Sequence, residues 1–178
     1  MKRIDHTWPE LLFKTLKAAG VRQVGYVPDA GHKRLIELCL ADKDMRAVVL
    51  STEAEGMGLA AGAWLGGERA ALLMQSSGVG NCINQLGTVR ECRFPLLMLV
   101  TMRGQKGEFN PWQVPMGQAT PAVLGAMGVV VHAAEEAGQV APVVAAAVRL
   151  AYGSYAAVAV LISQRVIGIK SFQEQANQ

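Results

Sequence analysis

Residues 96–101 read LLMLVT, an apolar run in which polar and apolar side chains do not alternate. A run of this kind is typical of a strand buried on both faces, as in a parallel sheet that carries helices on each side. Five other short runs have a similar strand-forming composition: residues 23–27, 46–50, 70–74, 128–131 and 157–162. The sequence therefore predicts a sheet of six strands with a buried centre.

Segments of helical periodicity lie between most of these strands, at residues 8–19, 33–41, 53–65, 81–91 and 139–152. Gly20 directly follows the first segment and is suited to end a helix, because glycine readily adopts the left-handed conformation. Alternating strands and helices predict an α/β fold, a doubly wound and mostly parallel six-stranded sheet with helices on both faces. We expect a single domain over residues 1–170 and a C-terminal tail over residues 171–178.

The composition narrows the functional classes. Hydrophobic residues make up 51% of the 178 and charged residues only 17%, so we expect another subunit to cover part of the surface. The net charge of +3 is small and scattered, which argues against nucleic-acid binding. The sequence shows neither an apolar run long enough for a membrane span nor the apolar core of a signal peptide. We expect a cytoplasmic protein whose three cysteines are buried and reduced.

Four polar or glycine-rich stretches follow predicted strands and are expected to meet at one edge of the sheet. They are VPDAGHK at 27–33, STEAEG at 51–56, QSSGVGN at 75–81 and RGQKGEFNPWQVPMGQAT at 103–120. The last stretch is too long for a plain connection, and we expect a functional loop there.

Residues 56–61, GMGLAA, match the G-x-G-x-x-A pattern of dinucleotide-binding turns only weakly. The pattern begins after two glutamates, where a pyrophosphate would meet like charge, and no acidic residue follows about 20 positions on. The small residues Ala54, Gly58, Ala61 and Gly62 instead recur at helical spacing. We expect a nearly flat helix face on which another subunit packs, since each helical glycine costs about 0.5–1 kcal/mol relative to alanine.

The two glutamates at the start of this segment have different expected roles. Thr52 and Glu55 have the spacing of a capping box, in which Thr52 caps the helix and Glu55 bonds back to the Thr52 amide. Glu53 would occupy the first helical position, where its charge suits the helix dipole. The residues alone leave two roles open for Glu53, a favourable charge in a first turn or a carboxyl group that carries a proton.

Motifs in and around this segment resemble those of a known family. Glu53 precedes the glycine of Ala60-Ala61-Gly62 by nine positions, and YVPDAGHKRLI, LLMQSSGVGNCINQL and GEFNPWQVPMGQ occur at 26–36, 72–86 and 107–118. Together they resemble the pyrimidine-binding (PYR) domain of thiamine diphosphate-dependent enzymes, and the last stretch is similar to the active-site loop of the 2-oxo acid decarboxylases. The likeness extends roughly over residues 8–165 and is nearest to decarboxylases of 3-sulfonated and 3-phosphonated pyruvates.

This resemblance implies thiamine diphosphate as the cofactor and Glu53 and Gln113 as catalytic residues. Glu53 would hydrogen-bond N1′ of the aminopyrimidine and promote deprotonation of the thiazolium C2, while Gln113 would face cofactor and substrate. Besides Glu53, the residues implied to shape the cofactor pocket are Gly78, Gly80 and Asn81. The residues expected to bind or orient the substrate are Asp29, His32, Lys33 and Arg103.

The resemblance also implies a partner. The family's diphosphate-binding (PP) domain carries a G-D-G motif followed by N-N, and neither occurs in this sequence. We therefore expect an α subunit that assembles with copies of itself and with a β subunit that holds the diphosphate and Mg²⁺, so that this chain supplies no metal ligands. The implied reaction converts 3-sulfopyruvate to sulfoacetaldehyde and CO₂. The alternatives are another 2-oxo acid such as phosphonopyruvate, carboligation with the same cofactor, or a non-catalytic regulatory module.

Overall fold

Six strands form the centre of the computed structural model, which describes residues 7–168. They are β1 (Val21–Tyr26), β2 (Arg46–Val49), β3 (Arg69–Gln75), β4 (Leu96–Thr101), β5 (Val130–Ala134) and β6 (Ala157–Ile162). All pairings between them are parallel, and the order across the sheet is β2-β1-β3-β4-β6-β5. The expected domain boundary at residue 170 and the tail at 171–178 lie outside the described residues.

Helices cover both faces of the sheet. They are α1 (Trp8–Ala18), α2 (Lys33–Ala41), α3 (Glu55–Leu65), α4 (Ser76–Cys92), α5 (Val114–Ala126), α6 (Ala137–Ser154) and α7 (Gln164–Ile167), with a 3-10 turn (Pro111–Gln113) before α5. Residues of α1, α2 and α6 share one apolar core with the sheet, and residues of α3, α4 and α5 share the other. In β4, Leu97 and Leu99 belong to the first core and Leu96 and Met98 to the second, so this strand is buried on both faces.

The predicted α/β fold class, with a parallel sheet between two helix layers, is confirmed. The bounds of α2, β4 and β6 match those read from the sequence. Gly20 follows α1 with a φ of +73°, a conformation that favours glycine, and its amide bonds the carbonyl of Lys17.

Helix α4 begins five residues earlier than predicted, at Ser76 instead of residue 81. The prediction was wrong because Gly78 and Gly80 weaken a helical pattern, whereas both lie in the first turns of this helix. The chain therefore enters a helix directly after β3, without an intervening loop. The first two turns of α4 bring Gly78, Gly80 and Asn81 to the edge of the sheet where the candidate site lies.

The segment 103–120 was also predicted incorrectly in its second half. It is a loop only as far as the 3-10 turn, after which α5 runs from Val114 to Ala126. Pro115 is tolerated because it lies in the first turn, but Pro121 lies inside the helix and hides it from sequence analysis. Gly117 lets α5 pack against the backbone beyond β4, since a Cβ there would lie 1.9 Å from the carbonyl oxygen of Arg103.

Cys39 and Cys82 are buried free thiols, whereas Cys92 is exposed, so the expectation of three buried cysteines was wrong. Cys92 is the last residue of α4, and the left-handed backbone of Arg93 (φ 54°) ends the helix at the surface. Among the described residues, no helix combines the length and the apolar character that a membrane span needs.

One face of α3 contacts nothing within residues 7–168. Gly58 and Gly62 lie on it, and a Cβ at either position would meet no atom within 4 Å. Leu65 continues this face one turn further and is 87% exposed. Ala54 and Ala61, which were expected on the same flat surface, are half-buried. The open face is thus narrower than the spacing of small residues predicts, and its partner remains a prediction.

Candidate active site

The turn between β2 and α3 buries a carboxylate against the first turns of α4. Glu53 lies in this turn and is 8% exposed. Nδ2 of Asn81 donates a hydrogen bond to its Oε2 at 2.8 Å. A buried carboxylate needs such a donor, because removing its charge from water is costly. The turn and the helix together hold the Glu53 side chain in one place.

Gly78 leaves room for this carboxylate. A Cβ built at Gly78 would lie 2.1 Å from Oε1 of Glu53 and 2.3 Å from its Cδ, far inside any allowed contact. The glycine is therefore required by packing and not by backbone conformation, since Gly78 is helical. We call Glu53, Gly78 and Asn81 the glutamate cradle.

Cys82 directly follows Asn81 of the cradle, and its thiol does not add a second negative charge beside Glu53. Its Sγ–H donates to the carbonyl of Gly78 at 3.4 Å. Burial, with the nearby Glu53 carboxylate as a second cause, raises the pKa of the Cys82 thiol to about 12. Cys82 therefore stays a neutral thiol at neutral pH.

The capping box predicted for Thr52 and Glu55 is wrong. Oε2 of Glu55 accepts a hydrogen bond from the backbone amide of Ser51 at 2.8 Å, and α3 has no side-chain cap. The reason is that tight i to i+3 bonds, from Glu55 N to Thr52 O and from Gly56 N to Glu53 O, form a turn before the helix. Glu55 thus has a structural role with another partner, and Glu53 precedes the helix instead of occupying its first position.

Asp29 lies in the loop after β1 and belongs to a second polar group, at the ends of β3 and β4. Its Oδ2 accepts from Oγ1 of Thr101 at 2.6 Å and its Oδ1 from Nε2 of Gln75 at 3.1 Å. Gly31 permits this approach, because a Cβ there would lie 2.8 Å from the Thr101 methyl group. Gln75 directly precedes α4, so the Asp29 group and the glutamate cradle flank the same helix start.

The structure places His32 in the interior. Its ring has no exposed surface, and Nε2 lies 3.0 Å from the carbonyl oxygen of Leu99, so this nitrogen carries the proton. Burial lowers the pKa of His32, although Asp29 opposes this, and the ring is neutral at neutral pH. Nδ1 is buried without a hydrogen-bond partner. In this position His32 pins the loop that carries Asp29 to β4, and it has no exposed edge to offer a substrate.

Lys33 is the first residue of α2 and is exposed. It lines a cleft with Trp8 and Ile167, beside the helix layer of α1, α2 and α6. The cradle lies in the opposite layer, between α3 and α4. The structure therefore does not bring Lys33 to Glu53.

Arg103 is buried and paired. Its side chain is 9% exposed, and its Nε donates to Oε2 of Glu108 at 2.6 Å. Burial raises the pKa of Glu108, but the bonds from Arg103 and from the amides of Asn110 and Gly104 outweigh this and hold it at about 2. Glu108 is therefore ionised at neutral pH, and it neutralises the cation that was expected to meet the substrate.

Gln113 lies in the 3-10 turn at the entrance to α5, and its Oε1 is buried without a hydrogen-bond partner. Three residues on, Met116 faces α4, since a Cβ at Gly80 would meet its sulfur at 3.3 Å. This contact brings the first turn of α5 to the helix start that holds the cradle. A buried acceptor without a donor is uncommon and suits a site that receives a ligand.

Sequence reasoning missed four residues that build the site: Gln75, Ser76, Thr101 and Glu108. Oγ of Ser76 accepts from the backbone amide of Arg103, and Gln75 and Thr101 hold Asp29. Three of the four are the last strand residue or the first helix residue at the carboxyl end of a buried strand, which is a signal the sequence contains. Glu108 carries no such signal, because its partners are set by the fold of its loop.

No group of three or more His, Cys, Asp or Glu side chains in residues 7–168 is arranged to hold a metal ion.

Residues 6–118 match the family described as thiamine pyrophosphate enzyme, N-terminal TPP binding domain. The chain is 40% identical over 116 residues to the sulfopyruvate decarboxylase subunit alpha of Methanococcus maripaludis, a match that covers 65% of this chain and 70% of the relative. It is 34% identical over 112 residues to the phosphonopyruvate decarboxylase of Streptomyces hygroscopicus, a match that covers 62% of this chain but only 28% of that longer relative.

Among solved structures, the chain resembles the 2-oxoglutarate:ferredoxin oxidoreductase from Magnetococcus marinus with a TM-score of 0.71. The superposition covers 90% of this chain and 29% of that chain, at 13% sequence identity. At this identity the likeness shows the fold alone.

Proposed function

The chain belongs to the family of thiamine pyrophosphate enzymes, through their N-terminal TPP-binding domain, and from this we propose that it is the PYR-type subunit of a 2-oxo acid decarboxylase. The substrate we propose is 3-sulfopyruvate, in keeping with the name of its 40% identical relative. In the reaction the bond between the carboxylate carbon and the keto carbon breaks. CO₂ leaves, a proton takes its place, and the second product is sulfoacetaldehyde.

The single observation that carries the proposal is the glutamate cradle, whose residues fit the aminopyrimidine of the cofactor. Glu53 offers a buried carboxyl group at the sheet edge, and Asn81 and Gly78 fix its direction. When bound, thiamine diphosphate supplies the electron sink for the decarboxylation. The contribution of Glu53 is to hold and return a proton at the aminopyrimidine N1′, which a carboxyl group in a fixed position can do.

Gln113 and Asp29 complete the part of the site that this chain provides. The unpartnered Oε1 of Gln113 would accept a hydrogen bond from the cofactor or the substrate. Asp29 is held by Gln75 and Thr101, which keeps its carboxylate at the carboxyl edge of the sheet. A carboxylate in that place can orient the substrate or relay a proton to the product.

A partner subunit completes the proposal. The M. maripaludis relative is named subunit alpha, and the open face of α3 at Gly58, Gly62 and Leu65 is an apolar surface that a second subunit would cover. We propose that this partner carries the PP domain and holds the diphosphate with Mg²⁺, a hard cation that prefers oxygen ligands. Copies of this chain would take part in the same assembly.

The proposal is tested by two matched substitutions in the chain co-expressed with a PP-domain subunit. Glu53→Gln keeps the shape but removes the proton-carrying group, and CO₂ release should fall by about 10²- to 10⁴-fold. Glu55→Gln changes a glutamate two positions away whose carboxylate accepts a bond from the Ser51 amide, and it should retain most of the activity. Wild-type activity in Glu53→Gln would refute the assignment, and so would full activity of the isolated chain.

Phosphonopyruvate is the second candidate substrate, because a 34% identical relative is named for it. A comparison of kcat/KM for the two acids with the same preparation separates the candidates. Product analysis in the same assay separates decarboxylation, which gives a free aldehyde, from carboligation. A larger kcat/KM for phosphonopyruvate would replace the proposed substrate without changing the role of Glu53.

A further inference from the structure

Glu108 lies at the centre of a buried polar network, and its side chain is only 3% exposed. Nε of Arg103 donates to it at 2.6 Å, and Nη2 of the same guanidinium donates to its other oxygen. The amides of Gly104 and Asn110 donate at 3.3 and 3.0 Å, and Nε2 of Gln164 donates at 2.8 Å. The loop of residues 103–110 therefore closes around a single carboxylate.

Two glutamine side chains fasten this loop to the end of β6. Oε1 of Gln164 accepts from the amides of Gln105 and Lys106 at 3.0 and 3.1 Å. In return, Oε1 of Gln105 accepts from the Gln164 amide at 2.8 Å and from Oγ of Ser163 at 3.0 Å. The exchange is reciprocal, so neither segment can move without breaking bonds on both sides. We call Gln105, Glu108, Ser163 and Gln164 the clasp.

The loop in turn determines where the 3-10 turn with Gln113 lies. Gly104 has a φ of +72° and packs on the start of α5, where its Cβ would lie 2.6 Å from Cα of Val114 and 3.0 Å from the Gln113 carbonyl oxygen. One turn further, the Arg103 carbonyl fills the space left by the missing side chain of Gly117. A change in the path of residues 103–104 is thus transmitted directly to the backbone of Gln113.

We propose that Glu108 and Gln164 are positioning residues that fasten the 103–110 loop to the end of β6 and thereby fix Gln113 at the cofactor site, an inference that rests on the proposed function. Neither side chain has to touch the cofactor or the substrate. Their contribution is to remove the freedom of the nine residues between β4 and the 3-10 turn. A group that must face a reacting centre within a fraction of an ångström needs such support.

The network also allows positioning of the loop by Glu108 to be distinguished from direct binding of the substrate by Arg103. If Arg103 bound the substrate anion, Glu108 would compete with the substrate for the same guanidinium. Glu108→Gln would then free the cation and lower KM. If Glu108 positions the loop, the same substitution leaves too few acceptor sites for five donors, and it lowers kcat without lowering KM.

The test uses Glu108→Gln and Gln164→Met in the full chain, with Glu135→Gln as the control. Glu135 is exposed, directly follows β5 and forms no ion pair within residues 7–168. Amide hydrogen exchange of the chain alone needs neither cofactor nor activity. Amides of Gly104, Lys106 and Asn110 should exchange about tenfold faster or more in both variants, while exchange at the glutamate cradle is unchanged.

The second readout is kcat and KM of the same variants in the complex with the partner subunit. We expect kcat to fall by about tenfold or more in both variants, and the double variant to lose no more than the worse single one, because both break one network. In the exchange measurement, the inference is overturned if the loop amides exchange at the wild-type rate or if exchange becomes faster throughout the chain. In the kinetic measurement, it is overturned if kcat is unchanged although the loop exchanges faster, or if KM is lower in Glu108→Gln. Failure of the proposed function is recognised separately, by Glu53→Gln retaining activity.

Discussion

Gly78→Ala is expected to lower the activity far more than the stability of the protein. Gly78 lies in the first turns of α4, where alanine is the better helix former by about 0.5–1 kcal/mol. The added methyl group, however, would lie 2.1 Å from Oε1 of Glu53 and 2.6 Å from its Cγ. The substitution therefore stabilises the helix itself but displaces the Glu53 carboxylate.

The size of the displacement follows from the contact distances. Ordinary van der Waals contact begins at 3.4 Å, so Oε1 must move by about 3.4 − 2.1 = 1.3 Å. A shift of this size breaks the 2.8 Å bond from Asn81 and turns the carboxylate from its direction. A misplacement of about 1 Å can cost about 10²-fold in rate, so kcat should fall by about 100-fold or more. The lost bond, worth about 1.5–3 kcal/mol to a charged group, outweighs the helical gain of about 0.5–1 kcal/mol.

Gly87→Ala is the matched control, because Gly87 lies on the same helix and a Cβ there meets no atom within 4 Å. CO₂ release in the reconstituted complex and thermal unfolding of the chain are measured for both variants. Gly87→Ala should be slightly more stable than the wild type and fully active, whereas Gly78→Ala should be about 0.5–2.5 kcal/mol less stable than the wild type and almost inactive. Activity of Gly78→Ala within about threefold of the control would refute the argument that Glu53 must stay where Gly78 allows it.

Two further predictions concern other parts of the fold. Because burial lowers the pKa of His32 below its ordinary 6.5, the unfolded chain binds this proton more readily, and stability should fall as the pH drops through about 6.5. His32→Gln should flatten that decline in urea unfolding between about pH 7.5 and 5.5, and an unchanged slope would contradict the assignment. Gly117→Ala places a Cβ 1.9 Å from the Arg103 carbonyl oxygen, a backbone atom that cannot rotate away, so it should destabilise the chain by about 1–3 kcal/mol. Gly125→Ala on the same helix meets no atom within 4 Å and should be neutral or mildly stabilising in thermal unfolding, and equal losses in the two variants would refute the packing argument.

The sheet was predictable because each buried strand has its own local signal. The LLMLVT run is apolar at its first five positions, and its predicted bounds are those of β4. Helices with unusual residues were not predictable in this way, since Gly78 and Pro121 count against a helix in any local pattern. Gly78 is explained only by the Glu53 carboxylate that lies beside it in the fold.

The residues of the candidate site likewise fall into those that the sequence could identify and those that only the fold reveals. Glu53, Gly78 and Asn81 could be named from the family resemblance, and the structure brings them together. The clasp could not be named, because Glu108 and Gln164 are 56 residues apart and no local pattern in the sequence pairs them. For Arg103, sequence analysis gave a charge near the site but not the partner that neutralises it.

The separation of these parts along the chain has a consequence for the order in which the protein is completed during synthesis. Asn81 and Glu53 are only 28 residues apart, so the glutamate cradle can form once α4 has left the ribosome. Gln105 must wait 58 residues for Ser163, and until then the segment before Gln113 lacks its bonds to the end of β6. A nascent chain therefore contains every residue of the glutamate cradle well before it contains the residues that fasten the segment before Gln113.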